Sequence, residues 1–480
     1  MSAFAIGLPL KVDKQPHKWS RNLCCTAATP NSNLRKPRPV TPPNVKGGGL
    51  PPFKLHVAPH LRDYLQAVQQ YPSPLLRTRR HNTFVQPADI ILRDISLNVD
   101  QTPTQLDAFL KAGPRRNVYH ANGVRAAVVS CGGICPGINT VIKEITLCLF
   151  RYGASKVFGV RHGYRGFYNS HWQELTEESV VGLNKMGGSV LGSSRGGFDL
   201  ERIVDAIETR RIDQVYVIGG DGTIMGCHKI FEEVVRRRLK TSVISIPKTI
   251  DNDIAVIDRS FGFETAVDEA QRAINAAYTE ATSFPDCIAL VKLMGRNSGF
   301  IACHAALASE EVDCCLIPEE EFVLHGSGGV LAYVEQKLNE KGHCVVVVAE
   351  GAGHIKDQGG DIGVHLMNET KKYFARKNRE ISLKYLDPTY QIRAIPTTTH
   401  DNILCILLAH AAVHGAYAGY TGFSSGLINS RNVFIPLEML VGIQKKVDTM
   451  QSDWQRLRMS TGQPDWFFQE DDMSTDGAGV

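Results

Sequence analysis

Val243-Ile244-Ser245-Ile246-Pro247-Lys248-Thr249-Ile250-Asp251-Asn252-Asp253 is a short apolar run that stops at a proline and opens into a turn bearing two carboxylates. Beyond it, Ala266, Ala270, Ala273, Ala277 and Ala281 recur at helical spacing. Strand, turn and helix in that order make half of a βα unit, and the order repeats along the chain. β-rich runs at 126–130, 215–218, 288–293 and 345–349 alternate with helical patterns such as Val141, Ile145 and Leu149. The alternation predicts an α/β fold built on parallel sheets. Because the runs are apolar on successive residues, helices are expected to cover both faces.

Working outward, 480 residues, 43% hydrophobic and 21% charged, leave room for two or three domains. A net charge of +4, from 53 basic and 49 acidic residues, offers no general attraction to nucleic acid. No run of about 18 apolar residues is present to span a membrane. Twelve cysteines without zinc-like spacing read as scattered thiols of a reducing compartment rather than a disulfide framework. Before position 50, Lys11, Lys14, Lys18, Arg21, Arg35, Lys36, Arg38 and Lys46 face one acid, Asp13. Residues 1–52 therefore read as a disordered leader, with a plastid transit peptide as one reading and a cytoplasmic protein as the alternative. Residues 53–120 form an N-terminal extension without assigned chemistry, with a short amphipathic helix expected at 61–70. A core at 121–467 and a loose tail at 468–480 complete the chain.

Four loops carry candidate chemistry. Gly132-Gly133-Ile134-Cys135-Pro136-Gly137 follows the run at 126–130. Its glycines admit a ligand close to the backbone, and the next helix offers free N–H groups to phosphate. The spacing matches neither GxGxxG nor a P-loop. Leu191-Gly192-Ser193-Ser194-Arg195-Gly196-Gly197 sets one guanidinium, a bidentate partner for phosphate oxygens, among backbone donors. Gly219-Gly220-Asp221-Gly222-Thr223 closes the run at 215–218, at the strand end where open α/β sheets bind ligands. Its single carboxylate suits Mg²⁺ held between Asp221 and phosphate oxygens. Lipid and NAD kinases also carry GGDG, so this loop points to a nucleotide and leaves the acceptor open. In the opening stretch, one of Asp251 and Asp253 is placed to take a hydroxyl proton while the other orients it or sits near metal. A capped turn into the helix is the structural alternative there.

With HGYRGFY (162–168), RSFGFETAVDEAQRAINAAY (259–278), LVKLMGRNSGFIA (290–302), AEGAG (349–353) and DPTYQIRAIPTTTHDN (387–402), these loops make the chain resemble the phosphofructokinases. The likeness is to the plant and algal ATP-dependent branch and covers roughly residues 85–467. It implies two Rossmann-like lobes of parallel sheet flanked by helices, with the active site in the cleft between them. Nucleotide would lie on the first lobe and sugar phosphate mainly on the second. The implied reaction is ATP-dependent phosphorylation of fructose 6-phosphate at its 1-hydroxyl, with Asp251 as the base. Gly133, Arg195, Gly196, Gly220, Asp221, Gly222 and Thr223 would hold ATP, with Mg²⁺ on Asp221. Thr249, Ile250, Asp251, Met294, Gly295, Arg296, Glu350, Tyr390, Gln391, Ile392 and Arg393 would line the sugar-phosphate pocket. Homotetramers are implied as well.

Position 222 bears on the phosphoryl donor. Diphosphate-using members of the family resemble GGDD there, and a carboxylate about 4 Å from the nucleotide's α-phosphate costs on the order of 4 kcal/mol at an effective dielectric near 20. Gly222 removes that obstacle and favours ATP. Lys248 cuts the other way, because diphosphate enzymes carry lysine where bacterial ATP enzymes carry glycine. A diphosphate-dependent enzyme and a catalytically silent subunit are thus the alternatives. Intact Asp251, Asp221 and Arg296 argue against the silent subunit, and the LMGR and PTYQIR segments argue against an NAD kinase. Residues 397–401, Thr-Thr-Thr-His-Asp, depart from the serine- and asparagine-rich segment the resemblance implies.

Overall fold

The computed structural model describes residues 53–77, 83–94, 106–353, 360–464 and 466. The expected leader at 1–52 and tail at 468–480 lie outside these residues.

The apolar runs become the centres of two sheets. In the larger, ten-stranded sheet, the parallel centre runs in space Phe423–Ile428, Ser242–Pro247, Gln214–Gly219, Arg125–Ser130, Lys156–Val160. Every residue of Gln214–Gly219 and Ser242–Pro247 is buried. Ile138–Arg151 and Thr399–Tyr417 pack together over one face, and Leu200–Thr209 and Asp221–Arg236 cover the other. The smaller sheet is parallel throughout, in the order Cys314–Leu316, His343–Ala349, Cys287–Leu293, Ser382–Leu386. The helix Phe263–Thr282 packs against it. Ala266, Ala270, Ala277 and Ala281 of that helix are buried, which explains the alanine spacing in the sequence.

The large sheet is mainly parallel, as expected, with antiparallel pairings toward its edges, where Trp172–Leu175 and Arg431–Pro436 run against their neighbours. The extension also builds it: Leu106–Lys111 joins Arg431–Pro436, and Phe53–His56 and Ile90–Leu92 pair with Leu106–Lys111. The helix expected at 61–70 is absent beyond one 3₁₀ turn, Leu61–Asp63. There the Leu61 N–H donates to the Gly419 carbonyl at 2.9 Å, and His60 bridges to Tyr420. These tertiary bonds outweigh a local helical preference that is weak at best.

Among the described residues, no helix is long and apolar enough to cross a membrane. Their ten cysteines are free and buried.

Candidate active site

Parallel strands aim their C-terminal ends in one direction, so the loops that follow them converge. Here the loops after Arg125–Ser130, Gln214–Gly219 and Ser242–Pro247 of the large sheet meet those after Cys287–Leu293 and His343–Ala349 of the small one. They line one cleft of about 550 Å³. Gly133, Arg195, Gly196, Gly220, Asp221, Gly222, Thr223, Lys248, Thr249, Ile250, Asp251, Met294, Arg296, Glu350 and Arg393 all border it.

Four of the expected residues do not. Gly295 shapes the turn, with φ +132°, and a Cβ there would meet the Ser298 carbonyl at 2.4 Å. Tyr390, Gln391 and Ile392 lie on the short helix Thr389–Arg393, whose single turn sends successive side chains in different directions. Thr389 and Arg393 therefore face the cleft, Ile392 enters the core, and Tyr390 is 75% exposed. The Arg393 guanidinium stands over the Tyr390 ring at 4.9 Å, and its Nε has no hydrogen-bond partner among the described residues.

On the large-sheet side the loops are tied to one another. The Gly132 N–H donates to the Ser194 carbonyl at 3.0 Å, and the Ser193 hydroxyl to the Gly132 carbonyl at 2.7 Å. The buried Lys248 ammonium donates to the Gly133 carbonyl at 2.8 Å, and burial lowers its pKa. Asp221 opens the helix Asp221–Arg236, so its loop presents a helix N-terminus to anions. Tyr164 buttresses that loop by donating to the Thr223 carbonyl at 2.8 Å. At Gly222 an added Cβ would meet nothing within 4 Å, so the position opens into the cleft.

The turn of the opening stretch is held by Asn252, which adopts φ +56°, a region asparagine tolerates, and accepts the Ser260 N–H at 3.0 Å. This places Asp251 and Asp253 apart in role. Asp253 accepts the Thr249 hydroxyl at 2.7 Å. The Asp251 Oδ1 is buried with no partner among the described residues. Burial, with Asp253 and then Glu350 nearby, pushes the Asp251 carboxyl up to about 7, against a smaller opposing pull from Arg296. Across the cleft, Arg296 Nε lies 3.2 Å from Glu350 Oε1.

For Mg²⁺ the donor set fits a metal that arrives with phosphate. Among the described residues no group of three or more His, Cys, Asp or Glu side chains could hold a metal alone. Asp221 is raised in pKa, chiefly by burial. Its Oδ2 accepts from a neutral donor, Gln444, at 2.8 Å. One carboxylate completed by phosphate oxygens and water is the usual Mg²⁺ arrangement.

Sequence reasoning missed Thr389, Tyr164, Phe198 and Gln444. Tyr164 and Phe198 adjoin the quoted glycine loops, so aromatic neighbours of a glycine turn were the available signal. Gln444 had none. The departing segment at 397–401 does not line the cleft; instead the buried Asp401 accepts the Thr265 N–H and hydroxyl at 2.7 and 2.6 Å. His400 is exposed in the first turn of Thr399–Tyr417.

Residues 125–453 match the family model described as phosphofructokinase. The chain is 47% identical over 442 residues to ATP-dependent 6-phosphofructokinase 1 of Arabidopsis thaliana, covering 87% of this chain and 93% of that one. It is also 47% identical over 435 residues to ATP-dependent 6-phosphofructokinase 4, chloroplastic, of the same plant, covering 86% and 82%. Among solved structures, a pyrophosphate-dependent phosphofructokinase from Marinobacter aquaeolei superposes with TM-score 0.62 at 21% identity, over 71% of this chain and 91% of that one, a likeness of fold.

Proposed function

Since this chain belongs to the phosphofructokinase family, we propose that its cleft moves the terminal phosphoryl group of ATP onto the 1-hydroxyl of fructose 6-phosphate, the committing phosphorylation of glycolysis, with Asp251 as general base. The observation that carries the assignment is the Asp251 carboxyl. It has an unpartnered oxygen and a pKa near 7, and it lies between glycine loops suited to a nucleotide and arginines suited to a sugar phosphate. A base poised near the working pH is the efficient choice.

Phosphoryl transfer asks for positioning and charge neutralisation more than for covalent chemistry. Gly133, Arg195, Gly196 and the 220–223 loop bind the nucleotide, with Lys248 fixed against the Gly133 carbonyl to meet charge on the transferred group. Asp221 would hold Mg²⁺, which when bound neutralises phosphate charge. Arg296 and Arg393 receive the 6-phosphate, Glu350 accepts from sugar hydroxyls, and Thr249, Ile250 and Met294 shape the walls. Asp251 takes the 1-hydroxyl proton as the hydroxyl attacks. The open space at Gly222 leaves room for the α-phosphate of ATP and supports ATP over diphosphate.

The same proposal includes assembly and location. Ile403 and Leu407 are exposed on Thr399–Tyr417, an apolar surface that supports a homotetramer; light scattering that reports a monomer refutes it. The basic, acid-poor residues 1–52 support a plastid address. Diffuse cytosolic signal from a reporter fused to residues 1–55 refutes that address.

Phosphorus NMR of the product tests the reaction. Formation of fructose 1,6-bisphosphate from fructose 6-phosphate and ATP is expected; phosphorylation elsewhere on the sugar, or none, refutes the assignment.

A further inference from the structure

The extension and the core enclose a second cleft of about 470 Å³, which shares no residue with the catalytic one. Arg62, Arg115, Arg116, Tyr119 and Tyr420 border it, with Asp63 as the carboxylate among its lining residues. Asp63 is already committed, its Oδ2 accepting the His60 N–H at 2.7 Å. Three arginines thus line a cleft whose carboxylate is in use elsewhere.

Arg115 is the telling member. It is 6% exposed, and neither its Nε nor its Nη1 has a hydrogen-bond partner among the described residues. Its Nη2 donates to the Lys111 carbonyl at 2.8 Å. The Tyr420 hydroxyl lies beside the guanidinium but brings no formal charge. Asp89 is felt by Arg115 at a distance, yet it forms no ion pair with it, and its Oδ2 accepts the Gln86 N–H at 3.1 Å. Arginine does not give up its proton in proteins, so a buried guanidinium without a counter-charge is costly unless something supplies one. Arg62 and Arg116 are exposed and rest on aromatic faces, over Tyr119 at 4.3 Å and Phe84 at 5.3 Å. Their donors are thereby held in place without being consumed by carboxylates. Forked donors left free in this way suit oxyanions.

We propose that this cleft is a second anion site that takes a small phosphate-bearing metabolite, whose oxyanion is bound by Arg62 and Arg116 and offsets the charge of Arg115. The site joins residues of the extension, Arg62 and Asp63, to Tyr420 beside the large sheet, so occupancy ties the extension to the core.

Calorimetric titration of inorganic phosphate into the full chain tests it, with fructose 6-phosphate and a non-hydrolysable ATP analogue saturating the catalytic cleft. The parent is expected to bind phosphate. Arg62→Ala with Arg116→Ala is expected to weaken that binding by about tenfold or more, with basal kcat/KM unchanged. Arg115→Met keeps the volume and drops the charge. It is expected to melt no lower than the parent without phosphate and to lose the phosphate-dependent rise in Tm; should it fail to fold, the double variant decides alone. Equal phosphate affinity in parent and double variant, or no uptake by the parent, overturns the proposal. Citrate is expected to bind more weakly than phosphate, and tighter citrate binding overturns the phosphate assignment.

Discussion

The side-chain amide of Gln444 donates to Oδ2 of Asp221 at 2.8 Å, across 223 positions of sequence. Gln444 is itself held by a bridge to Ile254, and the next residue, Lys445, donates its N–H to the Asp253 carbonyl at 2.8 Å. A C-terminal loop thus fixes one oxygen of the carboxylate proposed for Mg²⁺ and braces the turn that carries Asp251.

Gln444→Leu is expected to raise the Mg²⁺ concentration that gives half-maximal nucleotide binding. The loss should be about 1 kcal/mol, the ordinary net worth of one hydrogen bond. Calorimetric titration of ATP at several Mg²⁺ concentrations checks this, and an unchanged Mg²⁺ dependence would show that the contact does not position Asp221.

Asp251→Asn is expected to lower turnover by about 10² to 10⁴, the usual worth of a general base, with little change in ATP affinity. In the parent, kcat/KM for fructose 6-phosphate should rise with pH through about 7, as Asp251 loses its proton, and this limb should vanish in the variant. The stability effect runs the opposite way. Asp251 has a folded-state pKa above its unfolded one, so the native state binds more protons and stability falls as pH rises from about 4 to 7. At pH 8 Asp251→Asn should therefore be the more stable protein, by about 1 to 3 kcal/mol, and the gap should close at low pH. Denaturant titrations at both pH values test it; a gap that is the same at both contradicts the assignment.

What the sequence made legible follows from length and position. The central strands are continuous apolar runs of several residues, short and bounded by glycine or proline, as a strand covered on both faces requires. The site loops are glycines interrupted by single charges at the ends of those runs. The extension's Phe53–His56 and Ile90–Leu92 are too short for a periodic signal and exist through pairing with Leu106–Lys111. Gln444 carries no local pattern, because tertiary folding alone brings it to Asp221. The stretch from Tyr390 to Arg393 read as one contiguous wall, but a helical turn divides it, leaving Arg393 at the cleft and Ile392 in the core.

Gly222→Asp should fold, since the added side chain enters open space at a helix N-terminus where a carboxylate is favourable. Its kcat/KM with ATP is expected to fall far more than with diphosphate, in keeping with repulsion on the order of 4 kcal/mol at close range and an effective dielectric near 20. Equal losses with both donors would remove position 222 from donor choice.

Lys292 is paired with Asp361 at 2.5 Å and Asp387 at 2.7 Å, joining the strand before Met294 to the start of the turn that carries Thr389 and Arg393. Lys292→Met is expected to lower kcat/KM for fructose 6-phosphate by about ten- to a hundredfold through misplacement of Arg393, with KM for ATP nearly unchanged. Steady-state kinetics in both substrates checks this, and equal losses for the two would point to general damage instead.

The most direct test of the account is the rate of fructose 6-phosphate phosphorylation by the purified chain with Mg²⁺, supplying ATP in one assay and diphosphate in the other. Turnover with ATP, and little or none with diphosphate, is the expected result. Turnover with diphosphate alone would mean that Lys248 outweighs Gly222, and silence with both donors would contradict the catalytic assignment of Asp251.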